Sequence, residues 1–224
     1  MKDYFENNIL WGNGKVNNEP IPKIIWMYWD GHSEVVKRCF NRVSLILSDY
    51  TINIVNKENL REFSPNIIDK RDDLPLANYS DLVRLDLLKT YGGIWLDASI
   101  LLVENLDWVF LLKEKNKTDL IGFYADFLTS DLKNPILENW FLASPKNNKL
   151  IREWYDEYLS CYQSPKPKEY YQYLKKTDLL QGIEGGLADY ILPYLSIIKI
   201  MSLDKNYRIL MLKSSDTAHY YNFK

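Results

Sequence analysis

Apolar and polar residues alternate in blocks along the chain, and the spacing within each block predicts strands and helices. Short, nearly continuous apolar runs are typical of buried strands, whereas apolar residues three and four apart indicate helices. The predicted strands are Lys23–Asp30, Ile52–Val55, Ile94–Leu96, Ile100–Val103, Asp119–Tyr124 and Ile136–Ser144. The predicted helices are Tyr79–Tyr91, Asp107–Lys113, one or two turns at Glu58–Phe63, and a helix capped by Ser33 that ends near Asp49. The strand, helix and strand over Lys23–Asn56 predict a right-handed parallel crossover, which begins an α/β sheet.

The two ends of the chain carry weaker patterns. Residues 1–20 mix polar residues with scattered aromatics and predict a short helix followed by a loose arm. The segment Lys146–Lys176 contains seven Lys and Arg residues against four Asp and Glu residues, in two predicted helices separated by Ser164–Pro167. A further helix is predicted from about Leu187 to Ile198. The last third of the chain is therefore expected to be mainly helical.

The segment Asn78–Glu104 joins a predicted helix to two predicted strands. Asn78 suits a helix N-cap, and Asp81 then falls in the first turn, where the helix dipole favours a negative charge. Gly92 and Gly93 end the helix, because glycine adopts the left-handed conformation without steric cost. The strands that follow are interrupted by a polar break, Asp-Ala-Ser. This break is the first candidate for a functional site.

Asp97 and Ser99 form that polar break. An ionised carboxylate between buried strands costs several kcal/mol unless it is paired, hydrogen-bonded or bound to a cation. Residues two apart lie on the same side of an extended chain, so the two side chains offer oxygen ligands for Mg²⁺ or Mn²⁺, with a substrate diphosphate completing the shell. A turn carboxylate that caps its own backbone is the alternative, and the segment alone leaves both open.

Asp81 and Arg84 also allow two interpretations. Three residues apart on one helical face, they form either an exposed ion pair of little energetic value or a functional pair. In the functional interpretation, the guanidinium of Arg84 reaches a phosphate or sugar hydroxyl, and the carboxylate of Asp81 accepts a hydrogen bond from a sugar hydroxyl. Considered alone, the exposed pair is the simpler interpretation.

Composition and charge narrow the class of protein. A chain of 224 residues can form one sizeable core, so we expect a single domain over residues 1–224 with a helical subregion at 146–200. The net charge of −2 lacks the excess of positive charge that is typical of proteins that bind nucleic acid, so nucleic acid is excluded as a partner. No GxGxxG or GxxxxGK segment is present, which argues against dehydrogenase and P-loop chemistry. No apolar run approaches the roughly 18 residues of a spanning helix, and the N-terminus lacks a signal-peptide core. We therefore expect a soluble, cytoplasmic protein.

Three motifs, read together, carry a family resemblance. IPKIIWMYWDG at residues 21–31, SDLVR at 80–84 and KTYGGIWLDAS at 89–99 occur in this order. The chain thereby resembles the bacterial capsular polysaccharide synthesis proteins and the related DxD-type sugar-binding-region glycosyltransferases, which are similar to glycosyltransferase family 32. The resemblance implies a GT-A-type fold, in which a Rossmann-like mixed sheet flanked by helices binds a nucleotide sugar. It also implies a divalent cation, Mn²⁺ or Mg²⁺, as cofactor.

The resemblance implies roles for individual residues. Asp97 would be the first carboxylate of the metal motif, and Asp81 and Arg84 would contact the donor sugar; these three are the candidate catalytic residues. Ser99 stands where the broader family has a second aspartate, and a hydroxyl is a weaker, neutral ligand, so metal dependence is open. The remaining candidates are Tyr28, Trp29 and Asp30 at the nucleotide, Asn139 in the donor pocket and His219 as a third metal ligand. A core strand with a polar end, a buried asparagine bonded to backbone and an exposed tail histidine are the simpler alternatives.

The resulting hypothesis is a glycosyltransferase of capsular or other surface polysaccharide synthesis. It would move a sugar from a nucleoside-diphosphate sugar, with UDP as the expected nucleotide, to a saccharide or lipid-linked saccharide acceptor, and the resemblance implies retention of anomeric configuration. The basic segment Lys146–Lys176 would act on the acceptor side and contact the inner face of the membrane, or else is simply a solvated helix face. The alternatives are a non-catalytic carbohydrate-binding or assembly subunit and a metal-dependent phosphodiester hydrolase.

Overall fold

The computed structural model describes residues 7–166, 169–170, 172, 174, 176 and 192–215. Within these residues, a seven-stranded mixed sheet lies between helices. The strands are β1 Ile9–Trp11, β2 Ile24–Tyr28, β3 Thr51–Val55, β4 Gly93–Leu96, β5 Leu120–Tyr124, β6 Leu137–Ser144 and β7 Ile209–Lys213. The helices are α1 Glu34–Ile46, α2 Leu60–Phe63, α3 Leu76–Tyr91, α4 Asp107–Asn116, α5 Lys149–Gln163 and α6 Leu192–Leu203. The predicted α/β class, a mixed sheet flanked by helices, is confirmed.

The strand order in the sheet is β1-β7-β5-β6-β4-β2-β3. β2 pairs in parallel with both β3 and β4, which confirms the parallel pairing predicted for the first crossover. β6 runs antiparallel to β4 and to β5, and β7 runs parallel to β5. Strands β2, β3, β4, β5 and β7 therefore all point the same way, and their carboxyl ends share one edge of the sheet. In open α/β sheets this is the edge where ligands bind.

Two hydrophobic cores cover the two faces of the sheet. Successive side chains of a strand point to opposite faces, and β2 shows this alternation clearly. Ile25 and Met27 belong to one core, which includes residues of α1 and α4. Trp26 and Tyr28 belong to the other core, which includes residues of α3, α5 and α6. Burial on both faces explains why β2 is apolar throughout, as the sequence pattern predicts.

Helix α3 begins earlier than predicted. It starts at Leu76, directly after Pro75, so the predicted N-cap Asn78 lies inside the helix and is fully buried. Asp81 consequently lies beyond the first turn, and the prediction of a dipole-stabilised first-turn carboxylate is wrong. A proline just before a helix presets the backbone, and this outweighs the capping preference of an asparagine three residues later. The N–H of Asn78 instead donates to the carbonyl of Pro75, at 3.0 Å.

The helix ends at the predicted glycine pair. Gly92 and Gly93 have φ angles of 68° and 102°, which favour glycine. A Cβ on Gly92 would lie 2.5 Å from the backbone nitrogen of Lys146, and a Cβ on Gly93 would lie 2.6 Å from the carbonyl oxygen of Ile24. Only glycine fits at these two positions, because any other residue would strain the backbone and its side chain would collide with neighbouring backbone atoms. They bring the end of α3 directly into β4.

The second strand predicted after the polar break, Ile100–Val103, is absent. The N–H of Ile100 donates to the carbonyl of Asp97 at 3.0 Å, so the chain turns away from the sheet there. Leu101 and Val103 are 63% and 74% exposed. The positions on both sides of β4 are already occupied by β2 and β6, which leaves no place beside β4 for this segment. Asp97 thus lies at the end of one buried strand and not between two.

Two strands of the sheet were not predicted. β1 lies within the first twenty residues, where the pattern predicted a short helix, and it pairs antiparallel with β7, Ile9 opposite Met211. A strand of three residues carries too little periodicity to be recognised, and its partner lies about two hundred residues further along the chain. Helix α6 confirms the Leu192–Ile198 part of the helix predicted at Leu187–Ile198 and continues beyond it to Leu203. The beginning of that helix lies outside the described residues, and so does part of the helix predicted after Ser164–Pro167.

Candidate functional site

A cavity of about 310 Å³ opens at the carboxyl ends of β2 and β4. It lies between the N-terminal half of α3, the end of β2 and the turn that follows β4. Every predicted site residue in the described part of the chain lines it: Tyr28, Trp29, Asp30, Asp81, Arg84, Asp97, Ser99 and Asn139. His219, the predicted third metal ligand, lies outside the described residues. The structure therefore brings the described candidates together in one place, although their separate roles stay predictions.

Arg84 lies at the centre of the polar wall of this cavity. Its Nη2 donates to Oδ1 of Asp97 at 2.6 Å, and its Nη1 donates to Oδ1 of Asp81. The guanidinium also lies over the ring of Trp95, 4.8 Å from the ring centroid. Both Arg84 and Asp81 are buried, so the interpretation of an exposed ion pair is wrong. One buried cation is shared by two carboxylates.

Neighbouring strands complete this network. The indole N–H of Trp95 donates to Oδ1 of Asp97 at 2.7 Å, and the side-chain amide of Asn139, on β6, donates to Oδ1 of Asp81 at 2.9 Å. The amide of Asn139 is thus bonded to a carboxylate side chain and not to backbone. Because β6 lies beside β4, the antiparallel pairing brings Asn139 to the same edge of the sheet as Asp97. The carboxylates are therefore oriented by α3, β4 and β6 together.

The two carboxylates share a further property. Each accepts all of its hydrogen bonds from the described residues through Oδ1, so Oδ2 of Asp81 and Oδ2 of Asp97 receive none. The Asp97 side chain is 36% exposed, and both residues line the cavity. Carboxylate oxygens have lone pairs for several partners. The internal network thus holds one oxygen of each carboxylate and leaves the other for a ligand.

Burial and the neighbouring charges change the acid–base properties of this network. Burial raises the pKa of Asp81 to about 6, and the nearby Asp97 also raises it, while Arg84 acts in the opposite direction. Burial by itself would lower the pKa of Arg84, but the charges of Asp97 and Asp81 outweigh it, and the pKa is raised. Arg84 therefore stays charged, and Asp81 exchanges a proton more readily near neutral pH than an ordinary aspartate.

The donor set fits a divalent cation that is held jointly with a ligand. Oδ2 of Asp97 and the exposed hydroxyl of Ser99 line the same cavity, and Mg²⁺ typically takes one or two protein oxygens and fills its shell with water and phosphate. Nowhere in the described residues do three His, Cys, Asp or Glu side chains converge on a metal position. A cation at Asp97 would therefore share its shell with ligand or water oxygens.

The other end of the cavity is formed by the end of β2. The hydroxyl of Tyr28 donates to Oδ2 of Asp30 at 2.7 Å, and the N–H of Lys57 donates to Oδ1 of Asp30 at 2.8 Å. Burial, with the hydrogen bond to Asp30, raises the pKa of Tyr28, so its hydroxyl stays neutral. Trp29 and Leu76 are partly exposed here and form an apolar rim. Such a rim suits the flat face of a base or sugar.

Five lining residues were not predicted as site residues: Leu76, Ala77, Ser80, Ala98 and Tyr194. Leu76 and Ala77 belong to the start of α3, before the predicted beginning at Tyr79, whereas Ser80 lies within the predicted helix. Ser80 lies four residues before Arg84, so helical spacing would have placed both on one face. Tyr194 comes from α6 and is far from the other site residues in sequence. No local pattern pointed to it.

A mixed α/β sheet with a charged cavity at the carboxyl ends of its parallel strands defines a class of proteins that bind small polar ligands. A family model described as "Capsular polysaccharide synthesis protein" matches residues 2–181, and the chain belongs to this family. The resemblance inferred from the three sequence motifs is confirmed.

Several relatives carry glycosyltransferase names. O-glycosyltransferase braB of Annulohypoxylon truncatum is 26% identical over 153 residues, which cover 59% of this chain and 36% of the relative. O-glycosyltransferase PaGT of Phomopsis amygdali is 33% identical over 82 residues, which cover 36% of this chain and 20% of the relative. The chain thus spans only about a third or less of the length of these two fungal relatives. Among solved structures, PaToxG Glycosyltransferase is similar with a TM-score of 0.45 and 20% identity, over 81% of this chain and 88% of that one.

None of the helices in the described residues is both long enough and apolar enough to cross a membrane.

Proposed function

We propose that the protein transfers a sugar from a nucleoside-diphosphate sugar to a hydroxyl of a saccharide acceptor. The observation that carries the proposal is the convergence of Arg84, Asp81 and Asp97 on one cavity, with an unused carboxylate oxygen on each acid. Family membership and relatives that are named glycosyltransferases support the same reaction class. We propose UDP as the nucleotide and retention as the stereochemical outcome, as the resemblance implies.

The chemistry breaks the bond between the anomeric carbon and the diphosphate and forms one to the acceptor oxygen, which loses its proton. A divalent cation, when bound, would neutralise negative charge that develops on the departing diphosphate. Asp97, through Oδ2, and Ser99 would hold that cation. Arg84 and Trp95 fix the orientation of Asp97 by binding its other oxygen. The protein thus contributes mainly positioning and electrostatics.

The sugar would be held by the second carboxylate. Asp81 is oriented by Arg84 and Asn139 through Oδ1, so its Oδ2 can accept a hydrogen bond from a sugar hydroxyl. Trp29 and the Tyr28–Asp30 pair, at the other end of the cavity, would contact the base and ribose. The acceptor would be a saccharide or lipid-linked saccharide in capsular or surface polysaccharide synthesis, with peripheral contact at a membrane.

Calorimetric titration with a panel of UDP-sugars, with and without Mn²⁺, tests the proposal. We expect donor binding that requires the cation and slow donor hydrolysis, and both should be lost in Asp97→Asn. Asp49→Asn is the matched control, because Asp49 is an exposed carboxylate paired with Lys23, which precedes β2 at the opposite edge of the sheet. Equal activity of Asp97→Asn and the unaltered protein would contradict the proposal.

A non-catalytic carbohydrate-binding subunit is the second candidate. It is favoured by the neutral hydroxyl of Ser99 and by the ion pair that Asp97 already forms with Arg84. This candidate predicts sugar binding that is independent of Mn²⁺, with neither hydrolysis nor transfer. Turnover of simple phosphodiesters in the absence of sugars would instead indicate a metal-dependent hydrolase.

A further inference from the structure

Tyr194 is a cavity-lining residue to which neither the sequence motifs nor the proposed chemistry assigns a role. It lies in the first turn of α6, and the start of this helix is anchored against α5. The indole N–H of Trp154 donates to the carbonyl of Pro193 at 3.1 Å and to the hydroxyl of Ser196 at 3.0 Å. All three anchoring residues are buried. The backbone that carries Tyr194 is therefore held in a fixed position.

The hydroxyl of Tyr194 differs from those of Tyr158 and Tyr28, which have partners within the protein. Tyr158 donates to the carbonyl of Asn78 at 2.9 Å, and Tyr28 donates to Asp30, whereas Tyr194 makes no hydrogen bond with any described residue. Burial raises the pKa of Tyr194, and the neighbouring carboxylates raise it further, so the hydroxyl is a neutral donor at neutral pH. A partly buried hydroxyl without a partner is expected to bond to whatever occupies the cavity.

The burial of the cavity walls indicates which part of a ligand lies near Tyr194. Trp29 and Leu76, at the apolar rim, are 38% and 41% exposed, whereas Asp81 and Asn139 are buried. Helix α6, which carries Tyr194, packs against β6, which carries Asn139, and against α3, which carries Asp81. The deep end of the cavity thus combines a donor, Tyr194, with an acceptor, Oδ2 of Asp81.

We propose that Tyr194 donates a hydrogen bond to a hydroxyl of the donor sugar and so helps to determine which sugar the protein accepts; this inference rests on the proposed function. A sugar hydroxyl can accept from Tyr194 while it donates to Asp81. A site built in this way disfavours an analogue that lacks the hydroxyl, because polar groups of the protein would then stay unpaired.

The test compares Tyr194→Phe with the unaltered protein in titrations with UDP and with the panel of UDP-sugars. We expect the variant to bind the preferred UDP-sugar roughly fivefold more weakly and UDP with unchanged affinity, as for the loss of one hydrogen bond. Tyr207→Phe is the matched control. Tyr207 donates to Glu153 and precedes β7, at the edge of the sheet opposite the cavity, so this variant should keep the affinity for both ligands.

A second measurement needs no substitution. Deoxy analogues of the preferred UDP-sugar, titrated into the unaltered protein, should identify one hydroxyl whose removal costs roughly fivefold in affinity. With that analogue, Tyr194→Phe and the unaltered protein should bind equally well.

Three results would overturn the inference. If Tyr194→Phe bound every UDP-sugar with unchanged affinity, Tyr194 would not contact the sugar, and the proposed function would still stand. If the variant lost the same amount of affinity for UDP and for UDP-sugars, the hydroxyl of Tyr194 would contact the nucleotide diphosphate and not the sugar. An unaltered protein that binds no nucleotide sugar would contradict the proposed function itself, and the Tyr194 contact with it.

Discussion

Two cations are buried among the residues that the structure describes, Arg84 at the cavity and Lys113 at the opposite edge of the sheet, and their surroundings differ. The ammonium of Lys113 donates to the backbone carbonyls of Asn17 and Thr118, and burial lowers its pKa to about 8. The guanidinium of Arg84 instead lies between two carboxylates, which raise its pKa despite burial. Neutral backbone carbonyls satisfy the hydrogen bonds of a buried cation and leave no charged group to bind a ligand. Two carboxylates carry more negative charge than one guanidinium neutralises, so the cavity retains a net charge and unused oxygens.

The largest effect is expected from removing the cation at the cavity. Arg84→Met would leave two carboxylates without their partner, and breaking a buried ion pair from one side typically costs about 3–5 kcal/mol of unfolding free energy. We also expect donor binding to be lost. Urea denaturation and calorimetric titration measure the two effects. Arg84→Lys keeps the charge but lacks the planar fork that binds both acids, so it should restore only part of the stability.

The matched control for that substitution is Lys113→Met. It removes a buried cation of similar size and leaves two carbonyls unpaired, at a cost of about 1–3 kcal/mol, but it is remote from the cavity. Donor binding by the folded Lys113→Met variant should therefore equal that of the unaltered protein. If both variants lost donor binding to the same degree, the contrast between a structural cation and a ligand-site cation would be wrong.

The two regions should also respond to pH in opposite directions. The pKa of Asp81 is raised from 3.8 to about 6 in the folded state, so the folded protein binds more protons than the unfolded one between these values. Stability therefore falls as pH rises through this window, by about 3 kcal/mol. The pKa of Lys113 is lowered from 10.5 to about 8, so the folded protein binds fewer protons there and stability rises from pH 8 to 10.5.

Unfolding free energies measured by urea denaturation from pH 4 to 10 check these directions. Asp81→Asn should remove the fall in unfolding free energy at acidic pH and keep its rise at alkaline pH. Lys113→Met should keep the fall at acidic pH and remove the rise at alkaline pH. A pH profile that neither variant changes would show that other groups control it.

The smallest effect is expected from adding charge to the ligand site. Ser99→Asp places a second carboxylate two residues after Asp97, and cation affinity increases with the number of charged ligands, so Mn²⁺ affinity should rise on the order of tenfold. Ser99→Ala should lower it and leave the fold unchanged, because the side chain is exposed. Titration with Mn²⁺ in the presence of UDP measures both, and unchanged affinity in both variants would remove Ser99 from the metal site.

The parts of the site that the sequence predicted lie mostly on one continuous segment. Asp81, Arg84 and Asp97 belong to a helix, a glycine turn and a strand, whose local patterns determine where the side chains point. The end of β2 was suggested by the family resemblance and by its position at the carboxyl end of a strand, where open α/β sheets bind ligands. Asn139 was suggested only by the resemblance, because strand pairing over a long separation brings it to the cavity. Tyr194 was missed for the same reason, since nothing near it in sequence indicates which cavity α6 borders.

The wrong predictions about the fold also have a physical cause. The run Ile100–Val103 is as apolar as a strand, but apolar character does not show that both neighbouring places beside β4 are taken. Strand β1 is hydrogen-bonded to β7, and β7 is hydrogen-bonded to both β1 and β5, all of them distant in sequence from one another or short, so neither β1 nor β7 is evident from its own residues. Local patterns therefore predict an element well when the element is long or amphipathic, and poorly when its partners decide its position.

The glycine turn between α3 and β4 has a consequence for how this protein can diversify. Arg84 and Asp97 are 13 positions apart and are joined through a turn in which neighbouring backbone leaves no room for a side chain. Their mutual geometry is thus encoded by one compact stretch of chain. Residues from the rim, β6 and α6 can be exchanged without separating the two, so new substrate preferences can arise around an unaltered charged centre.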